Sequence, residues 1–453
     1  MARLWLLLIL QCLWSVASSF GVAKRAYHVA QSLPTSPLPP SQDPFYTAPP
    51  NFAAAAPGAI LRLRRAPDVT AVLQNCSVAY NILYRTTDSQ YHPTWAVTTL
   101  YLPLATPANS TNSTSGTDST GSGNTNTTSY SPGSYLLSYQ TPYDSANIDL
   151  SPSYTVYGGA LNAYGIPAFL GRGWYINVPD YEGPDASFTA GVQSGHATLD
   201  SVRAVLNAGL GLALDVKYAM SGYSGGALAS EWAAELQVQY APELQFVGVA
   251  LGGLTPNATS VLETINGGGA ADLIPNAILG LISQWPDAKA FILSQLKPSG
   301  EFNASTFLET LTAPSSFDSV FNGQDIANYF INGISTLSNP IIQRVINSDA
   351  IMGYHGVPRM PVFAYKAIAD EISVVADTDA LIERYCGIGA DILYQRNTVG
   401  GHTAEFINGN LRQADWLAAA FAGTLSEAFN GTSGPGAGCT VQNVTVAIVT
   451  FPS

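Results

Sequence analysis

Charge is scarce in this chain of 453 residues: 11% of them are charged, with 18 Lys and Arg against 31 Asp and Glu, for a net charge of -13. A surface so poor in cations argues against nucleic acid and other polyanionic partners. Histidines number five and cysteines four, and no Cys/His spacing resembles a zinc site. Gly209-Leu210-Gly211 lacks the third glycine of a dinucleotide loop, so no cofactor is expected. Long apolar runs are missing too. The one near the start, Leu4 to Val16, falls short of the roughly 20 residues of a spanning helix, so no integral membrane segment is expected.

That short run, preceded by Arg3 and followed by Ala17, Ser18 and Ser19, has the layout of a secretory signal peptide over residues 1–19. Lys24-Arg25 beyond it is either a dibasic processing site or a solvated pair. Glycosylation sequons start at Asn75, Asn109, Asn112, Asn126, Asn257, Asn303, Asn430 and Asn443 and agree with export. Cys12 leaves with the leader, and in an oxidising compartment Cys386 and Cys439 are expected to pair. Cys76, inside its own sequon, is left as a buried thiol rather than a link between chains, and a monomer is expected.

Residues 31–57 are rich in Pro, Ser and Ala and predict an irregular arm on the body. Val78 to Tyr84 and Trp95 to Leu104 alternate apolar residues and predict an antiparallel pair of strands. Between Ala105 and Gly133 the composition collapses to Ser, Thr, Asn and Gly, a glycosylated surface insertion. Further strands are predicted at Tyr135 to Tyr139, Trp174 to Val178, Lys217 to Met220, Phe246 to Leu251, Val362 to Ala367 and Ile392 to Gln395, with helices at His196 to Leu206 and Ala227 to Tyr240. Strands alternating with helices imply an α/β fold with a mainly parallel sheet, reactive groups lying at the carboxyl ends of its strands. From Leu254 to Asp349 no strand is predicted. Ile274, Ile278, Leu281 and Trp285 share one helical face, and Phe317 to Tyr329 and Ile331 to Val345 look helical. The expected organisation is a core in two parts, 20–253 and 350–453, with a helical cap at 254–349 between them.

The chemistry centres on Gly222-Tyr223-Ser224-Gly225-Gly226, a Gly-x-Ser-x-Gly pattern between the Lys217 strand and the Ala227 helix. Chance alone would supply that pattern roughly 0.3 times in such a composition, so the strand-turn-helix context carries the weight. A serine hydroxyl needs a neighbouring imidazole to take its proton, and that imidazole needs a carboxylate. With the order Ser, acid, His, only His355 and His402 are eligible among the five histidines. His355 precedes any place the acid could occupy, whereas His402 follows the last predicted strand on a glycine loop. Asp370, at the end of the preceding strand, is the chosen acid, Glu371 the runner-up, and Asp377 and Asp379 stand further back. The N–H of Gly225 is one expected oxyanion donor; the other should come from Thr141 to Ala146, where composition does not choose the residue.

Several separated stretches resemble one family: Phe45-Tyr46, Ala53 to Arg62, Leu83 to Thr87, Ser138-Tyr139-Gln140 followed by Asp144-Ser145, Val178 to Pro184, Gly222 to Gly226 and Gly401-His402. They are similar to the fungal secretory lipases of the Candida antarctica lipase A type, over about Asp43 to the C-terminus. The resemblance implies an α/β-hydrolase fold with a helical cap, a triad of Ser224, Asp370 and His402, and Asp144 as the oxyanion partner of Gly225. It also implies hydrolysis of triacylglycerols and simpler esters at an oil-water interface, with acyl transfer to other alcohols. Members commonly join the segment after the oxyanion loop to the cap by a disulfide, and this chain has no cysteine between Cys76 and Cys386. A serine carboxypeptidase-like amidase and a catalytically silent binding protein on the same fold are the alternatives.

Overall fold

The computed structural model describes residues 36–104, 133–317 and 319–448. The leader, the Lys24-Arg25 pair and the sequons at Asn109, Asn112 and Asn126 lie outside the described residues. Ten strands form one sheet: β1 Ile60–Arg65, β2 Cys76–Thr87, β3 Pro93–Pro103, β4 Tyr135–Gln140, β5 Tyr175–Pro179, β6 Lys217–Tyr223, β7 Phe246–Gly252, β8 Val362–Ala367, β9 Ile392–Asn397 and β10 Cys439–Val444. Their order is β1-β2-β3-β5-β4-β6-β7-β8-β9-β10, antiparallel through β1, β2, β3 and β5 and parallel from there on. The early pair is the antiparallel one expected, with Tyr84 opposite Ala96.

The central strands are apolar on both faces because both faces are covered. Ala219 of β6, Ala250 of β7 and Phe363 of β8 join Trp416 and Leu417 of the helix His402–Ala422 on one side. Their neighbours Met220, Val249 and Val362 point the other way, among Trp232 and Leu236 of the helix Gly225–Tyr240 and Leu381 and Tyr385 of the helix Val375–Ile388. The period-2 alternation of each strand thus sorts its side chains between two cores.

Chain direction across the sheet reverses at β4, which lies between β5 and β6. Gln140 at the end of β4 pairs with Gly222 of β6, so the segments after these two strands emerge side by side. A crevice at such a reversal is where doubly wound sheets gather their ligands.

Two strands escaped the sequence reading. In β1 three arginines dilute the apolar alternation, and β10 is an edge strand whose residues alternate between exposed and half-buried. The chain between β7 and β8 is helical, with helices Ala258–Ile265, Leu273–Ser283, Pro286–Gln295 and Pro340–Asp349 around a core that includes Ile278, Ile282, Phe307 and Val345. Ile274, Ile278 and Leu281 are buried on one face, but Trp285 lies past the helix end, since Pro286 begins the next helix and disfavours helical backbone before it. No α-helix forms over Phe317 to Tyr329 among the described residues. Asn322-Gly323 turns there, with Gly323 at φ 74°, and only a 3-10 turn follows at Ile326–Tyr329. The stretch Ile331 to Val345 breaks at Asn339-Pro340, the Asn339 side chain accepting from the Ile341 N–H to start a new helix.

Cys386 and Cys439 form a disulfide that ties the last turn of the Val375–Ile388 helix to the first residue of β10, while Cys76 is a buried free thiol whose burial pushes it up to about 11. Cys439→Ser is expected to cost about 2–4 kcal/mol by removing a cross-link between residues 53 apart in sequence, read as a lower denaturant midpoint. An unchanged midpoint would mean that the edge strand does not depend on the tie.

Candidate active site

Ser224 sits where β6 gives way to its helix, with φ 53° and ψ -122°, a backbone conformation that costs a non-glycine residue on the order of 1–3 kcal/mol. Its N–H donates to the Gly252 carbonyl of β7 at 2.9 Å, and its own carbonyl accepts from the Leu228 N–H at 2.9 Å. The flanking glycines are required by contact. A Cβ at Gly222 would lie 2.2 Å from the Gly226 oxygen, and one at Gly226 2.0 Å from the Gln140 oxygen. The turn is therefore pressed against β4 and itself, which leaves the serine side chain pointing away from the sheet.

His402 opens its helix directly after the β9 loop. Its Nε2 is 2.9 Å from Ser224 Oγ and its Nδ1 is 2.7 Å from Asp370 Oδ2. Asp370 follows β8, and its Oδ1 accepts from the backbone N–H groups of Ile372 and Ser373, each at 2.9 Å. Burial works against its ionisation, but the hydrogen bond and charge of His402 and the ammonium of Lys366 hold the carboxyl down to about 2. An ionised Asp370 only accepts, so Nδ1 carries the imidazole proton and Nε2 is free to accept from the serine hydroxyl.

The other carboxylates weighed for this place do different work. Glu371 Oε2 accepts from the His402 backbone N–H at 2.7 Å and fixes the start of the helix rather than the ring. Asp379 accepts from the Tyr394 hydroxyl at 3.0 Å, Asp377 lies in the first turn of its helix, and the His355 ring packs at a tilt against Trp232 beside Glu235. Among the described residues none of these hydrogen-bonds to the His402 ring, whose partners are Asp370 and Ser224. Two partners of the row were not singled out in the sequence. Lys366 donates to Asp370 Oδ2 at 2.9 Å, and the Tyr223 hydroxyl donates to the His402 carbonyl at 2.6 Å. Tyr223 precedes the serine and Lys366 lies four residues before the acid, a spacing that could have suggested it.

Asp144 leaves β4 on the loop beside Ser224, buried and at φ 48°. A Cβ on Gly225 would fall 1.9 Å from Asp144 Oδ1, so that position admits only glycine while the carboxyl lies over it. Asp144 Oδ1 has no hydrogen-bond partner among the described residues, and burial raises its carboxyl to about 7. Its loop hangs between the body and the helical insertion: the Tyr181 hydroxyl donates to the Thr141 carbonyl at 2.8 Å, the Ala146 N–H to Asn276 Oδ1 at 3.0 Å, and the Ser316 hydroxyl to the Tyr143 carbonyl at 2.9 Å. Ser224, Gly225 and Asp144 open onto an apolar pocket whose walls include Leu228, Leu262, Ile274, Ile278, Ile282 and Ile346.

Residues 153–428 match the secretory lipase family. The chain belongs to that family. It is 47% identical over 426 residues to trichothecene C-3 esterase of Fusarium sporotrichioides, covering 92% of this chain and 90% of the other. It is 33% identical over 402 residues to lipase A of Arthroderma benhamiae, covering 84% and 80%. Among solved structures, Candida antarctica lipase A superposes with a TM-score of 0.74 at 27% identity, over 93% of this chain and 92% of that one. This secretory lipase family member is accordingly a carboxylic ester hydrolase with an α/β-hydrolase fold.

The buried carboxyls set its pH behaviour. Burial lifts Asp180, like Asp144, to about 7, and drives Glu182 well above its ordinary value. Unfolded carboxyls release their protons near about pH 4, so between there and 7 the folded chain binds more protons and gains stability as pH falls. His196, held by burial to about 3, opposes this, whereas Asp185, Asp200, Glu231, Asp349 and Glu405, all raised by burial, add to it. Asp370 also acts in the opposite sense, its contribution being lost only as pH drops from about 4 towards 2. The thermal midpoint should be higher at pH 5 than at pH 8 by calorimetry, and a steady fall over that interval would contradict the assignment.

Proposed function

We propose that the chain is an exported serine hydrolase that cleaves carboxylic esters of lipid character through an acyl-enzyme on Ser224. Ser224 Oγ attacks the ester carbonyl while its proton passes to His402 Nε2, and Asp370 steadies the imidazolium. The tetrahedral oxyanion is received by the backbone N–H groups of Gly225, unpaired as a first-turn helix donor, and of Asp144. Collapse breaks the bond to the alcohol, which takes the proton from His402, and water or a second alcohol releases the acyl group by the same steps in reverse. The observation that carries this reading is the unbroken Ser224–His402–Asp370 row, at 2.9 and 2.7 Å, opening on an apolar pocket. That pocket suits an acyl chain better than a peptide, which bears against the amidase alternative. A filled and aligned row bears against a silent binding protein.

Approach to an oil-water interface is supported by the exposed apolar residues Leu311, Phe317, Val320, Ile331 and Ile334, all within the helical insertion that we take as the cap. Export is supported by the leader and the sequons. A second reading of the substrate has its own observation: the Fusarium relative at 47% identity over nearly its whole length is a trichothecene C-3 esterase, so a trichothecene esterified at C-3 belongs in the same assay as glycerides. Ser224→Ala should lower kcat/KM on p-nitrophenyl esters by on the order of 10⁵ or more. Retention of most of the activity would refute the mechanism, whereas the ranking of tributyrin, the p-nitrophenyl series and the trichothecene ester decides only the substrate.

A further inference from the structure

One oxygen of Asp370 is shared by two cation-forming groups. Oδ2 accepts from His402 Nδ1 at 2.7 Å and from Lys366 Nζ at 2.9 Å, while Oδ1 is taken up by two backbone N–H groups. The Lys366 side chain is fully buried, and its ammonium also donates to the carbonyl of Leu254 at 2.8 Å, where the chain leaves β7 for the helical insertion. Placing a charge there is costly, since an apolar side chain of the same length would avoid the desolvation. A Ser-His-Asp row needs no second cation to align it.

We propose that Lys366 is a positioning residue of the acyl-transfer row, whose ammonium fixes Asp370 Oδ2 against Leu254 and, by competing for that oxygen, loosens its hold on the imidazolium and extends activity to lower pH. The inference rests on the reading of Ser224, His402 and Asp370 given above. Two cations on one oxygen lie within the roughly 4–6 Å over which a like charge disfavours ionisation. The charged groups facing Lys366 are Asp370 from the turn after β8 and Asp377 and Asp379 from the Val375–Ile388 helix. Around His402 stand Glu371 at its backbone N–H, the Tyr223 ring, and Glu405 on its own helix, which is paired with Arg412. No second ammonium or guanidinium among the described residues touches Asp370, so the effect is assigned to Lys366 alone.

The test is the pH profile of kcat/KM on a soluble p-nitrophenyl ester for the full-length enzyme, Lys366→Gln, Lys366→Met and Lys366→Arg. Glutamine keeps a donor without charge, methionine keeps only the bulk, and arginine keeps the charge. Both neutral variants should still be labelled at Ser224 by a fluorophosphonate, with the acid limb moved up by about one pH unit. Lys366→Arg should keep the wild-type limb. An unshifted limb in either active neutral variant overturns the proposal. Failure of both neutral variants to fold overturns it equally, by assigning Lys366 to stability alone. Loss of labelling in wild-type enzyme, or activity surviving Ser224→Ala, would instead undo the underlying mechanism, so the two failures are separable.

Discussion

The arrangement depends on one backbone conformation, the positive φ of Ser224 at the junction of β6 and its helix. A side chain held there cannot lie back on the sheet, and the turn survives because neighbours over-determine it. The Gly252 carbonyl takes its N–H, Leu228 takes its carbonyl, and glycines at 222 and 226 let it press on β4. Tyr223, the residue before it, reaches with its hydroxyl to the His402 carbonyl. The same turn therefore presents the Ser224 hydroxyl and anchors the segment that carries His402.

Around that turn two buried carboxyls differ in what offsets the cost of their burial. Asp370 meets four, from His402, Lys366, Ile372 and Ser373, and stays ionised to about pH 2 despite its burial. Asp144, a short distance across the pocket, has an oxygen that meets none and holds its proton to about 7. Two aspartates with the same intrinsic chemistry thus occupy opposite protonation states in mild acid, because hydrogen bonds and cations offset burial at Asp370 while burial acts alone at Asp144. The loop carrying Asp144 is bonded both to the body through Tyr181 and to the insertion through Asn276 and Ser316, so what fills the pocket bears on the geometry of that loop.

Much of this was legible because strong local constraints leave marks in a sequence. The Gly-x-Ser-x-Gly stretch records a steric requirement, and β4 to β9 read as short, largely apolar runs because both faces of the sheet are covered. Chain order reduced five histidines to His402, and the structure puts its ring beside the very carboxylate preferred on position, with Glu371 one residue away holding the backbone instead. What stayed hidden depends on contacts distant in sequence or weak in pattern. Strand β1 is masked by arginines and β10 by edge exposure. The helices foreseen around Phe317 and Ile331 yield to turn residues, Asn322-Gly323 and Asn339-Pro340. Lys366 reads as an ordinary cation until burial places it against Asp370, and Asn276 as one more residue of an apolar helix.

A crystal structure of the enzyme inhibited by a p-nitrophenyl alkylphosphonate tests the central claim most directly, because the adduct mimics the tetrahedral intermediate. The account predicts phosphorus bonded to Ser224 Oγ, the phosphoryl oxygen about 2.7–3.1 Å from the N–H groups of Gly225 and Asp144, and the alkyl chain between Ile274, Ile278 and Ile346. Phosphorus on any other residue, or a phosphoryl oxygen turned away from both N–H groups, would contradict it.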